Sequence, residues 1–311
     1  KTTVFHVILP IREADNKEGD QKKEQLSTSY SSIGIEAFEN DFQLEIKEKK
    51  EGVKEEKKLL IIEDNQDLRK MIADLLSTGF DTLEAENGKV GLEKAIEIIP
   101  DIIICDIMMP IMDGYEFCKK CKEHELTSHI PIIMLTAKAD MQAKLTGYKT
   151  GADSYLTKPF DPKLLLAQVE NLIKNRENLK RKFSEVNAHN LNVYPTSSRD
   201  VSFLSKINKI IDDNLQNEKF NVQLLASEMN LSVRQFHRKF IGIIDETPAD
   251  YLRNYRLNIA ARMLKSNPDI FVSEVAYSIG FKQMPHFSRV FRKKFGMTPS
   301  EFANSNYTEN S

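Results

Sequence analysis

No run of apolar residues in this 311-residue chain approaches the roughly 18 needed to cross a bilayer. The first residues lack the charged-then-apolar order of a secretory leader. Position 1 is Lys and not Met, so the expectation is a piece of a longer protein. Cysteine is scarce, with three residues in all. Cys118 and Cys121 form a C-K-K-C, but no second C-x-x-C completes a zinc site, and the pair sits in an amphipathic helical pattern. They read as ordinary helix residues in a reducing cytoplasm. No ATP-site motif lies within residues 1–311, which argues against a self-contained kinase.

Net charge is also nearly absent, at −2, but that total conceals two opposed regions. Residues 59–175 carry 13 Lys and Arg against 19 Asp and Glu, a net of −6, whereas residues 200–306 carry 15 against 11, a net of +4. An acidic module joined to a basic one suggests a cation site in the first and nucleic acid on the second. The length suits two or three domains, and 41% hydrophobic residues permit real cores.

Residues 1–11, KTTVFHVILPI, alternate like a strand and stop at Pro10. They resemble the closing strand of a histidine-kinase ATPase domain, over those residues alone. Residues 12–58, ending in KEKKEGVKEEKK, have the high charge and sparse aromatics of a solvated linker.

From Leu59 the pattern changes to alternating strands and helices. LLII (59–62) and IIIC (102–105) are short continuous apolar runs, as in strands buried on both faces, and PIIMLTA (131–137) is a third. Short strands at 82–84 and 154–156 and helices over 66–77, 88–99, 114–123, 139–150 and 162–173 complete five β-α units. The expected fold is multidomain, beginning with an α/β doubly wound five-stranded parallel sheet. In such sheets ligands bind beyond the carboxyl ends of the strands. Glu63 and Asp64, Asp106, Thr136 and Lys158 all fall at those ends.

The stretch 59–175 resembles a response-regulator receiver domain of flavodoxin-like topology, with IIED, CDIMMPIMDG, LTA and YLTKPF in matching order and spacing. A phosphoryl group needs a nucleophile and compensating charge around it. Asp106 is the expected phosphoacceptor, in the manner of aspartyl-phosphate chemistry. Asp64 and Asp106 could ligate Mg²⁺, with Glu63 acting through a water. Lys158 and the Thr136 hydroxyl would meet phosphoryl oxygens. The resemblance further implies the Met108 backbone carbonyl as a metal ligand, a cis bond before Pro159, and Tyr155 as a switch aromatic that follows Thr136.

Residues 162–186 could form one long helix running past that domain, followed by a turn-rich connection through 200. Beyond Val201 the pattern is all helical. Val222 to Met229, a turn, and Val233 to Phe240, N-capped by Ser232, make a helix-turn-helix; its wet faces would carry Arg234, Gln235, His237, Arg238 and Lys239. After a joining helix to about Lys265 the motif repeats at 272–279 and 285–295. This second, all-α domain (201–306) resembles the AraC-type DNA-binding domain, chiefly through IGFKQMPHFSRVFRKKFGMTPSEF. Departures at Gln283, Met284 and His286 bear on target preference. Arg234, Gln235, His237 and Arg238, with Gln283, His286 and Arg289, are expected at bases or nearby phosphates, and Arg292, Lys293 and Lys294 at the DNA backbone.

The expected whole is the output half of a hybrid two-component system: a phosphorylation-controlled, sequence-specific DNA-binding transcription regulator. Its expected partners are double-stranded DNA, a histidine-kinase phosphodonor within the same parent chain, and a second copy in a homodimer. No small-molecule substrate is evident. A cytoplasmic location, with the parent anchored in a bacterial inner membrane, follows from that resemblance. The competing expectation is a DNA-binding regulator whose receiver is a scaffold and is never phosphorylated.

Overall fold

The computed structural model describes residues 57–137, 151–185, 198–267 and 269–305. The strand read over 1–11, most of the charged stretch after it and the helix expected over 139–150 lie outside the described residues.

Five parallel strands form one sheet: β1 (Lys57–Ile62), β2 (Phe80–Ala85), β3 (Ile102–Asp106), β4 (Ile132–Ala137) and β5 (Ser154–Lys158), in the order β2-β1-β3-β4-β5. The helices beside them are α1 (Gln66–Leu76), α2 (Gly88–Ile98), α3 (Gly114–Glu123) and α4 (Pro162–Glu185). The period-two alternation of strands sorts the core into two layers. Leu60, Ile62, Ile103, Cys105, Ile132 and Met134 pack with Phe117, Cys118 and Cys121 of α3 on one face. Leu59, Ile61, Ile102, Ile104, Ile133 and Leu135 pack with Ile72 and Leu76 of α1 and with Leu165 and Val169 of α4 on the other. Covering both faces is what makes the central strands continuous apolar runs.

β1 starts two residues earlier than the apolar run suggests. Lys57 and Lys58 pair with Phe80 and Asp81, and the Lys58 N–H donates to Asp101 Oδ2 at 2.8 Å. The two lysines therefore join the sheet through backbone bonds, which side-chain polarity does not reveal. The three cysteines are free and buried, and burial pushes the Cys121 thiol up to about 11.

The remaining helices are α5 (Ser198–Asp213), α6 (Val222–Glu228), α7 (Val233–Ile243), α8 (Pro248–Ser266), α9 (Val272–Ser278), α10 (Met284–Phe295) and α11 (Pro299–Asn304). They form two helix-turn-helix motifs, α6-α7 and α9-α10, joined by the 19-residue α8, about 28 Å long. The duplication extends to the backbone of the turns. Leu231 N–H donates to Ala226 O, and Phe281 N–H to Ala276 O, both at 3.0 Å. Asn230 (φ 55°) and Gly280 (φ 82°) each adopt the left-handed conformation there. At Gly280 a Cβ would also meet the Leu215 carbonyl at 2.9 Å, so glycine is required twice over. α5 starts at Ser198, inside the stretch read as an irregular connection, and brings buried Asp200 with it.

Each motif has its own aromatic core. Phe203, Phe236, Phe240, Tyr251 and Tyr255 form a chain of ring contacts in the first, and Phe281, Phe287, Phe291, Phe295 and Phe302 in the second. Each such ring pair adds roughly 0.5–1.5 kcal/mol beyond its area burial.

Candidate functional site

The strand ends deliver the acidic rim. β1 ends at Ile62, so Glu63 and Asp64 follow at its carboxyl edge, and Asp106 closes β3. One carboxylate oxygen from each of Glu63, Asp64 and Asp106 lies within 4.8 Å of the others. Glu63 and Asp106 are buried and Asp64 is exposed. Lys158, the last residue of β5, reaches across with its Nζ 2.7 Å from Glu63 Oε2 and 2.8 Å from Asp106 Oδ1. The Lys158–Pro159 peptide is cis, as the resemblance implied.

Thr136 is buried one position beyond Leu135, the residue in register with Asp106, and its hydroxyl donates to Ala137 O at 3.2 Å. Tyr155 is half-buried against the sheet face that carries Cys105 and Met134. Met108 stands exposed in the loop after β3. That loop turns back tightly, with the Gly114 N–H donating to Ile107 O at 2.9 Å. A Cβ on Gly114 would fall 2.1 Å from the carbonyl oxygen of Asp106, so only glycine lets α3 begin this close to the acidic residue.

Burial raises the Glu63 carboxyl above its ordinary value; the charge of Asp106 adds to this, and the Lys158 hydrogen bond opposes it. Burial works against the Lys158 ammonium, but hydrogen bonds and charges from Asp106 and Glu63 prevail and raise it. Three carboxylates around one ammonium leave a negative excess at a rim built of oxygen donors. A small hard cation fits that donor set, since Mg²⁺ takes one or two carboxylates and keeps several waters.

The second candidate face lies on the two recognition helices. Gln283 at the N-cap of α10 is exposed, as are Arg289, Arg292 and Lys293 on the helix. His286 is half-buried, its ring 5.7 Å from that of Phe281 and its Nδ1 3.2 Å from Arg289 Nη2. Lys294 turns back to donate to Asn254 O at 3.1 Å, and burial lowers its ammonium to about 8, so its side chain is committed within the domain.

On α7, Arg234 is exposed and His237 half-buried, but the remaining polar face is not wet. Arg238 and Lys239 are buried. Arg238 donates to Ile99 O from Nε (3.3 Å) and from Nη2 (3.1 Å), and Nη2 also lies 3.1 Å from Asp101 Oδ2. Gln235 Nε2 donates to Ile96 O at 3.4 Å. Lys239 Nζ sits 2.6 Å from Asp200 Oδ1, 3.2 Å from Ser128 Oγ and 3.2 Å from His129 Nδ1. The expectation of solvent at these positions is corrected: they face the base of the sheet domain, at the amino ends of its strands. Asp101, Ser128, His129 and Asp200 gave no motif signal in the sequence. Arg176 of α4 completes the contact, donating to Gly242 O at 3.1 and 2.9 Å.

A doubly wound sheet with a carboxylate trio and a lysine on its carboxyl rim, followed by a duplicated helix-turn-helix, defines a two-part regulatory protein. Residues 59–170 match the model of the response regulator receiver domain, and residues 225–305 match a helix-turn-helix domain. Histidine kinase P4 of Formosa agariphila is 39% identical over 81% of this chain, which spans only 18% of that protein's length. The probable transcriptional regulator ycf29 of Pyropia yezoensis is 34% identical over 61% of this chain and 83% of its own. A putative response regulator from Chloroflexus aurantiacus, solved by crystallography, is 38% identical over 38% of this chain and 98% of its own, with a TM-score of 0.37. The chain belongs to the response regulators, with a receiver domain followed by an AraC-type helix-turn-helix domain. Among the described residues, no helix is long and apolar enough to cross a membrane.

Proposed function

We propose that this chain is a phosphorylation-controlled, sequence-specific DNA-binding regulator, the output half of a hybrid sensor kinase. The observation that carries this reading is the Lys158 ammonium held at 2.8 Å from Asp106 and 2.7 Å from Glu63. That lysine holds the acceptor carboxylate in place before reaction and is positioned to pair with the anion formed there.

In the transfer, an Asp106 oxygen attacks the phosphorus of a phosphohistidine. The P–N bond breaks, its electron pair returns to the imidazole, which takes up a proton, and Asp106 becomes an acyl phosphate. Glu63, Asp64, Asp106 and the Met108 carbonyl would hold a Mg²⁺, which supplies positive charge opposite the phosphoryl oxygens. Lys158 turns from the carboxylates to one phosphoryl oxygen. The Thr136 hydroxyl gives up Ala137 O for another, and Tyr155 fills the space that Thr136 leaves. Arg234 and His237 of α7, with Gln283 at the start of α10 and His286 and Arg289 on it, read DNA; Gln235 and Arg238 join them only when freed from the sheet domain, while Arg292 and Lys293 hold phosphates. The kinase histidine belongs to the parent chain, whose ATPase domain ends in residues 1–11. The regulator works in the cytoplasm as a homodimer beneath a membrane-anchored sensor.

Incubating the protein with acetyl phosphate and Mg²⁺ tests the central step by intact mass. A gain of one phosphoryl group in the native chain and none in Asp106→Asn is expected. No gain in either would leave a DNA-binding regulator with a receiver used only for packing.

A further inference from the structure

The polar face of α7 is needed in two places, and the geometry does not allow both at once. We infer that the base of the receiver and the DNA duplex compete for the first recognition helix, so that the docked chain grips DNA through α10 alone. The inference rests on the proposed DNA reading and adds the competition.

Three features close off α7. The first is charge: Arg238 is paired with Asp101 and the Ile99 carbonyl, and Lys239 with Asp200, so two cations of this helix are neutralised within the chain. The second is access. Arg238 is buried and Lys239 fully so, and a duplex cannot reach a side chain that water does not reach. The third is shape: α7 lies so close to the loop before β4 that a Cβ on Gly242 would stand 2.2 Å from His129 Nε2. Leu231, in the turn before α7, seals one end by packing against the receiver's own core. Around the rim, Lys206 pairs with Glu125 at 2.7 Å, and Arg199 donates to Lys122 O at 3.3 Å. Among the described residues the second motif has no such cover, since Gln283, Arg289, Arg292 and Lys293 are all exposed.

This arrangement makes the released fraction measurable. The apparent affinity of a two-motif grip is reduced by the fraction of molecules in which α7 is free. Each further phosphate engaged steepens the salt dependence of binding by about 0.9 in log–log slope.

The test uses the full chain and a labelled mixed-sequence duplex long enough for both motifs, titrated across a range of KCl concentrations. Gly242→Ala adds a methyl that the docked helix cannot house, while favouring the helix itself. Asp101→Asn removes the charge facing Arg238 but keeps an acceptor for the Lys58 N–H. Both variants are expected to bind at least about threefold tighter than the native chain, with a salt slope steeper by about one or more. Should Gly242→Ala fail to fold, Asp101→Asn decides. Unchanged affinity and slope in the variants, with Lys293→Ala still weakening binding, overturns the competition and leaves the DNA reading standing. Absence of duplex binding by every form overturns both.

Discussion

The two helix-turn-helix motifs share a turn geometry down to one hydrogen bond and one left-handed residue, yet they are stabilised differently. The first is capped and covered. Asn221 accepts from Leu224 N–H at the start of α6, Ser232 and Gln235 form a capping box on α7, and the receiver buries the outer face. The second is uncapped and open. Phe271 and Gln283 stand at the N-caps of α9 and α10 without a side-chain hydrogen bond, and Phe271 is 75% exposed. Stability in the second motif therefore rests on its aromatic cluster and on Gly296, which ends α10 in the left-handed conformation. Duplicated units keep their turn because the backbone demands it, and diverge wherever a neighbour supplies what a cap or solvent would otherwise provide.

The contrast is most sharply broken at Lys239. Lys239→Ala removes the ammonium paired with the buried Asp200 carboxylate, which keeps the Ser128 hydroxyl at 3.1 Å, and is expected to cost about 3–5 kcal/mol in urea denaturation. Lys293→Ala on the open helix should change stability by less than about 0.5 kcal/mol. A loss below about 1 kcal/mol at Lys239 would mean that water enters the knot.

Acid should act most strongly where the covered motif meets the receiver. His129 is buried, and that burial, aided by the charges of Lys239, Arg176, Lys180 and Lys122, holds its imidazole well below the ordinary 6.5. The undocked ring then binds a proton more readily than the docked one. Docking is unaffected above pH 6.5 and weakens as pH falls below it, by up to about 1.4 kcal/mol per pH unit. Burial likewise lowers the Lys239 ammonium, against the pull of Asp200, so its shift has the same sign as that of His129. Hydrogen exchange at the Gly242 and Ile243 amides, followed from pH 7 to 5, would register the loss. A His129→Gln variant should flatten that profile.

Smaller effects come from the caps. Ser232→Ala should cost about 1 kcal/mol, and Phe271→Ser should gain up to about the same, both by thermal unfolding. If both changes are silent, the asymmetry in capping has no energetic meaning. The smallest change in stability accompanies Lys293→Ala, whose consequence is a uniform loss of duplex affinity and a salt slope shallower by about one.

The sheet and its rim were legible because the information is local. Three short apolar runs, each ending in a polar residue, state both a buried strand and what stands at its edge; Glu63, Asp64, Asp106 and Lys158 then meet because parallel strands share one carboxyl end. The contact between domains was not legible. Arg238 and Gln235 donate to the carbonyls of Ile99 and Ile96, acceptors that every residue carries and that leave no trace in side-chain pattern. A charged helix face looks the same in sequence whether water or another domain lies against it. Asp200 was hidden among turn-forming residues, although the helix through it was already running from Ser198.

α4 starts at Pro162, four residues after the lysine that touches Asp106, and runs unbroken for 24 residues. Arg176, nearly four turns along it, holds the carbonyl of Gly242. One stiff rod therefore has its origin beside the acidic rim and its far half against the first helix-turn-helix. With no hinge between, a twist introduced at one end has nowhere to dissipate before it arrives at the other. Glycines at the exposed Lys174 and Asn175 would cut that transmission shaft while leaving the machinery at both ends intact.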